Sequence, residues 1–241
     1  MIFTASHHAV LFALLSRSVI THLGVENGEK IIRQAVRCYG EQRGRRMALR
    51  AGRDGEQLSM LNYMAYGEWR VEAGESAQRS AEMVPHARSF ADRCPWNQAW
   101  VESDLLQYGR LYCLEIDQAL VRGFNPALRL DVLSTLSNDG RPCEFVFYGA
   151  NLTPENSALL DQKKSANQQN GAVLPWEYHA GHLYAVVKST LAAVLGEDGD
   201  SILQEALAEF ARRYGDEAVQ AVLSYQFVDF NTLLWGRSVI K

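Results

Sequence analysis

Between Cys94 and Cys143 the spacing of apolar residues changes from that of a helix to that of a strand, and any fold for this chain must accommodate both. Pro95 suits the first turn of a helix that includes Trp96 and Trp100. A second helix is predicted over Leu105 to Arg122, with Leu106, Leu111, Leu114 and Leu120 among its apolar positions. Gly123 stops it and Phe124-Asn125-Pro126 makes a turn. Ala127 to Thr135 then alternates, with Leu128, Leu130 and Val132 facing one way and Arg129 and Asp131 the other. Asn138-Asp139-Gly140 reads as a hairpin turn. Pro142 to Tyr148 returns, with Cys143, Phe145 and Phe147 on one face.

Both flanks read as helical. The first helix is expected over residues 6–23, with Ser6 as its cap and Gly24 ending it. A second is expected from Asn27 through Gly40, after which the Arg43–Arg46 run is read as exposed, and a third from Gln57 to Trp69. Glu75 to Arg93 has a weak period of two with Pro85 inside it, the pattern of an edge strand. Leu152 to Gly171 is polar and rich in Asn and Gln and reads as a loop, and the last helices start near Pro175. The N-terminal helix pair can be laid over the C-terminal one, with His7 on His179 and Gly24 on Gly196; amphipathic helix pairs joined by a glycine also align this way by chance. The expected class is α+β, mostly helical, with helices bracketing a small antiparallel sheet. Within one domain over 1–241, residues 1–72 hold N-terminal helices, 73–150 the α+β centre, 151–174 the polar loop and 175–241 the C-terminal helices.

At 241 residues, 47% apolar and 22% charged, the chain can bury a sizeable core. A net charge of −4 with both signs mixed leaves no basic footprint for nucleic acid. The apolar run Ala9 to Leu15 is too short to span a bilayer and no basic residue precedes it, so neither a membrane partner nor a targeting signal is expected. Four cysteines without a CxxC pair make no disulfide framework, and the reducing cytoplasm is the simplest compartment. The aromatic-rich stretch around Trp235 fits a homo-oligomer contact and an intramolecular core equally well.

Candidate chemistry concentrates on Cys113 and Asp117. Four residues apart on one predicted helix, they share a face, with Cβ atoms roughly 5–6 Å apart. A carboxylate beside a thiol disfavours the thiolate, so the pair makes chemical sense if a cation sits between them. An amidinium would donate two hydrogen bonds to Asp117 and offer an electrophilic carbon to the sulfur. Against this stands the bland reading of a buried cysteine and an exposed or Arg-paired aspartate. Cys94 and Cys143 read as core cysteines. Three cysteines this far apart do not make a zinc pattern, so no metal site is assigned. His179 and His182, three apart on a predicted helix, could bind a divalent metal or supply a base, or could simply be partly exposed near a helix start. His7 or His8 could meet that face. Asp229, in an apolar run, wants a partner. Glu115 and Asp104 look solvent-facing.

Residues 94–147 resemble the L-2-amino-thiazoline-4-carboxylic acid hydrolase family. The resemblance lies in Cys94-Pro95, in Tyr112-Cys113 followed by Ile116-Asp117, in Gly123-Phe124-Asn125-Pro126, and in the hairpin with Gly140, Cys143 and Phe145. Asp139 before Gly140 and Arg141-Pro142 after it depart from the pattern. The resemblance implies hydrolytic opening of a small cyclic amidine or amide-type ring; no cofactor is expected, with a divalent metal on the histidines left open. The example is 2-aminothiazoline-4-carboxylate giving N-carbamoylcysteine, and the class is hydrolysis at carbon–nitrogen bonds other than peptide bonds. Cys113, Asp117 and His179 are then the catalytic candidates, with Asn125, Trp96, Arg110, Tyr112 and Cys143 as substrate-binding ones. Arg110, Arg122 and Arg129 are the nearest cations for a substrate carboxylate. The competing readings are a non-catalytic small-molecule sensor of the vinyl-reductase type and a metal-dependent hydrolase using the histidines.

Overall fold

The computed structural model describes residues 2–234. The stretch around Trp235 lies outside them. The first helix, α1 (Ala5–Arg53), is two helical segments meeting at Gly24, whose φ of 77° is readily reached only by glycine. Gly28 lets the second segment close onto the first, since a Cβ there would stand 2.6 Å from Ile20 Cα. The cap is Thr4 rather than Ser6, and the His7 imidazole accepts from the Thr4 N–H at 3.2 Å.

The second segment of α1 does not stop at Gly40. Nothing in the sequence breaks it before Arg53, and two of its faces are buried. One carries Gly40 and Gly44 and presses against α5 (Ile116–Phe124). A Cβ on Gly44 would sit 2.1 Å from the Leu120 carbonyl, and one on Gly123 would sit 2.2 Å from that of Glu41. The next face carries Arg43, Arg46 and Arg50, all buried, which corrects the expectation of an exposed basic run. Their spacing of three and four residues is that of one helix face.

The partner that buries them is Glu68, fully enclosed and placed after α2 (Met60–Ala65). This helix is shorter than the predicted 57–69 span. The chain leaves it so that Glu68 reaches the arginines and Trp69 reaches the sheet. Arg46 donates to both Glu68 oxygens at 2.9 and 2.7 Å, and Arg50 donates at 2.7 Å. The arginines and a carboxyl are tolerable inside only because they answer one another.

The sheet has four antiparallel strands in the order β1-β2-β4-β3: β1 (Ala77–Glu82), β2 (Ala87–Arg93), β3 (Leu130–Ser134) and β4 (Cys143–Phe147). The expected single edge strand over 75–93 is two strands, because Pro85 sits in the turn between them. β4 pairs with both β2 and β3, and Ala91 lies opposite Cys143, Ser89 opposite Phe145, and Ala87 opposite Phe147. The connection from β3 to β4 is a helical turn, α6 (Leu136–Asp139), rather than a two-residue hairpin. Thr135 caps it, and Gly140 at φ 63° ends it. The class is therefore α+β and mostly helical, as read from the sequence, with one strand more than predicted.

Between the strands lie α3 (Pro95–Glu102) and α4 (Leu106–Cys113). Gly109 in α4 lies flat on Trp100, whose indole N–H donates to the Ala9 carbonyl at 2.8 Å. The polar stretch read as a loop is instead α7 (Pro154–Gln169), capped by Thr153 with Pro154 in its first turn. It buries little beyond Leu160 and Asn167 and packs on α2. Helices α8 (Trp176–Leu195), α9 (Gly199–Tyr214) and α10 (Asp216–Leu223) complete the helical layer. Gly196, at φ 63°, turns α8 into α9, and Gly199 then packs on Leu191, much as Gly24 and Gly28 do in α1.

By length and composition one described helix, α1, could cross a membrane, and 61% of its apolar window is buried in this fold. Asp104 is exposed, as expected. Glu115 is not: it takes Arg33 at 2.6 Å and Arg37 at 3.6 Å, and its side chain is only 11% exposed.

Candidate active site

The inner face of the sheet is built from small residues along β2, namely Ala87, Ser89 and Ala91. Beside them Cys143, Phe145 and Phe147 line up along β4. Between Ala91, Cys143 and Phe145 of the sheet and Ile116, Asp117 and Leu120 of α5 lies a cavity of about 370 Å³. Cys94, Cys113, Cys143, Asp117, Trp96 and Tyr112 all line it.

Cys113 and Asp117 meet here, but not on one helix. The predicted Leu105–Arg122 helix breaks at Leu114 and Glu115, leaving Cys113 as the last residue of α4 and Asp117 in the first turn of α5. The ion pairs of Glu115 with α1 pin the break. Asp117 thereby stands in the first turn of α5, where a negative charge is favoured.

Burial dominates the electrostatics. It pushes the Asp117 carboxyl up to about 6, with the nearby Arg43 guanidinium holding it back. Among the described residues no hydrogen bond reaches its oxygens. Burial also pushes the Cys113 thiol well up, helped by Cys94, Asp117 and Cys143, while the Ser137 hydroxyl beside it works the other way. Cys143, which accepts the Leu136 N–H at 3.3 Å, is pushed up to about 11 by burial. Cys94 caps α3. Burial raises its pKa too, and the Trp96 and Asn97 N–H groups oppose the rise. Burial thus favours the protonated form of all three thiols and lifts the Asp117 carboxyl to about 6. The arrangement suits a proton-transfer group beside a sulfur nucleophile rather than a preformed thiolate.

Three of the sequence candidates are elsewhere. His179 does not line the cavity. It stands behind Trp69, with ring centroids 5.4 Å apart, and its Nε2–H donates to the Glu68 carbonyl at 3.1 Å. Burial, with Arg43 beside it, lowers its pKa to about 3. Asn125 is spent on the turn: its amide donates to the Leu58 carbonyl and its oxygen accepts from the Ala127 N–H. Arg110 pairs with Glu29 at 3.2 Å, while Arg122 and Arg129 pair with Glu41 and Asp131. His7 is held by Thr4 and stacks near Phe3 and Tyr214. It is His8 that meets the His179 side, and it is neutral: Nδ1 accepts from the Trp96 indole at 3.1 Å, so Nε2–H points at the Tyr39 oxygen. His182 donates to Gln42 at 2.7 Å. Asp229 accepts from the Asn231 N–H rather than serving the cavity. Among the described residues no group of three His, Cys, Asp or Glu side chains is disposed to hold a metal ion.

Sequence reasoning missed Arg93, Trp69 and Arg43. Arg93 ends β2 on the cavity rim and spends one N–H on the Gly74 carbonyl at 2.8 Å. Trp69 walls the cavity and carries the Arg43 guanidinium on its ring at 3.4 Å. Neither Arg93 nor Trp69 lies in the stretch where the motif is read, and their roles come from pairing across the fold.

A family model described as L-2-amino-thiazoline-4-carboxylic acid hydrolase matches residues 4–147. The chain belongs to this family. As a family member it is a hydrolase, and the match ends on the last residue of β4, so it spans Cys94, Cys113, Asp117 and Cys143. No curated protein and no solved structure matches the chain.

Proposed function

We propose that this family member opens a small cyclic amidine or amide-type ring by hydrolysis, with Cys113 as nucleophile and Asp117 as the proton carrier. The observation behind this reading is one half-buried carboxyl, without a hydrogen-bond partner among the described residues, beside a thiol in a cavity of ligand size. An amidinium entering the cavity pairs with ionised Asp117, which accepts the Cys113 proton as sulfur bonds to the amidine carbon. The tetrahedral adduct collapses and expels the ring heteroatom, which takes the proton back from Asp117. Water then adds to the same carbon, giving its proton to Asp117; Cys113 leaves as a thiol by taking that proton back, and the proton the amidinium brought in passes to solvent as the neutral product forms. For 2-aminothiazoline-4-carboxylate the product N-carbamoylcysteine keeps both nitrogens and gains a thiol. Atom balance therefore puts the ring cleavage at carbon–sulfur; a cyclic amide would instead break at carbon–nitrogen.

Arg93 on the rim is the cation for a substrate carboxylate, in place of Arg110, and Trp96 and Tyr112 flank the ring. His179 has no role in this scheme.

The test is ring opening over a panel of cyclic amidines and ureides, followed by free thiol and carbamoyl product. Turnover that falls at least about 10³-fold in both Cys113→Ser and Asp117→Asn, with ring binding retained, supports the scheme. Binding without turnover in the unaltered protein would favour a sensor, and turnover indifferent to Cys113 would leave Asp117 activating water directly.

A further inference from the structure

A second chamber of about 460 Å³ lies under the same sheet, between β1, β2 and β4 on one side and α2 and α7 on the other. It shares Gln78, Ala91, Phe145 and Asp117 with the first. Cys113 borders only the first of the two, whereas Asp117 borders both. The reacting carbon must reach both groups, so the ring belongs in the first chamber with one edge at the threshold of the second.

The first chamber by itself lies at the low end of the roughly 300–1,000 Å³ typical of ligand sites and is ample for a bare five-membered ring. The second has its own chemistry. Phe147, Met64 and Leu160 give it an apolar body. Ser80 and Ser89 border it, and among the described residues their hydroxyls take no hydrogen-bond partner from the protein. Lys164 and Asp161, both exposed, stand at its α7 side. Ala91 on β2 borders both chambers, so one small side chain serves the two.

We propose that the substrate ring carries an apolar substituent with a hydrogen-bonding end, and that this substituent passes Asp117 into the second chamber. The inference rests on the reading of Cys113 and Asp117 as the reactive pair and names the substrate class for that site: a substituted cyclic amidine or amide rather than the bare ring acid.

The experiment compares a bare cyclic amidine with the same ring bearing a 4-hydroxyphenethyl arm, in the unaltered protein and in Ser157→Phe and Ser89→Leu. Both positions border only the second chamber, one from α7 and one from β2. The ratio of kcat/KM for the substituted ring over the bare ring should be at least about tenfold, and each variant should bring it toward unity. Using two variants from different elements guards against one that fails to fold. A ratio at or below unity, or one that neither variant moves, overturns the proposal. Should neither ring be turned over, the hydrolytic reading fails by itself, and equilibrium binding of the two rings decides the chamber. A binding preference for the armed ring that Ser157→Phe abolishes supports it, and equal binding overturns it.

Discussion

Two clusters of buried ionisable groups lie on opposite sides of Trp69, and burial has opposite consequences in them. On one side, burial alone would push the Glu68 carboxyl up, but Arg46, then Arg50 and Arg43, overcome it and hold the group down at about 2. The histidines there are neutral and pinned: His8 between Trp96 and Tyr39, His179 on a backbone carbonyl, His182 on Gln42. On the other side Asp117 has only the field of Arg43 to offset its burial and rises to about 6. Glu68 is held in one charge state by its arginines, whereas a carboxyl without an ion pair is left able to exchange a proton. Low solvent exposure therefore does not mark the working site; the carboxyl without a counter-ion does.

The sharpest way to break this contrast is to remove each carboxylate in turn. Glu68→Gln leaves three buried guanidinium groups without their anion and should cost roughly 3–5 kcal/mol, seen as a lowered urea midpoint or failure to accumulate folded protein. Asp117→Asn should change stability by no more than about 1 kcal/mol in the same assay, because it removes an uncompensated group. Equal damage from the two changes would dissolve the distinction.

Their pH dependences should also run in opposite directions. Glu68 is depressed from 4.5 to about 2, so its contribution is present above pH 4.5 and is lost as pH falls toward 2. Asp117 is raised from 3.8 to about 6, so the native state favours its protonated form; that contribution is full below pH 3.8 and is lost as pH rises through 6. Urea midpoints across pH 3–8 should show the upper step vanish in Asp117→Asn and persist elsewhere. Activity has the reverse sign, since the scheme needs ionised Asp117: kcat/KM should fall as pH drops below about 6.

Smaller effects sharpen the boundary. Arg93→Ala should raise KM for ring carboxylates by about tenfold with kcat little changed, and Arg110→Ala should do neither. The smallest effect belongs to His179→Gln, expected to alter kcat/KM by less than about threefold and to leave the acid limb in place, because His179 lies behind Trp69. A shifted limb would return that histidine to the mechanism.

What could be read from the sequence follows the same division. Cys113, Asp117, Trp96, Tyr112 and Cys143 lie in one continuous stretch whose period announces its elements, and the fold brings all five to one cavity. The break at Glu115 was not visible there, because arginines some eighty residues earlier create it. The basic run of α1 looked like a solvated face, although Arg43, Arg46 and Arg50 recur at helical spacing. Glu68, the Phe230 carbonyl and Trp69, all outside α1, turn that face inward. Helix α7 was hidden by its polarity, despite the Thr153-Pro154-Glu155 start that a helix favours. His179 looked available because nothing in its own helix shows Trp69 packed over it.

The most direct test of the central claim is intact-mass and peptide analysis of the protein quenched during a single turnover of a cyclic amidine. The account predicts a transient adduct on Cys113, absent in Cys113→Ser and slow to form in Asp117→Asn. Turnover without any adduct, or an adduct on Cys94 or Cys143 instead, would contradict it.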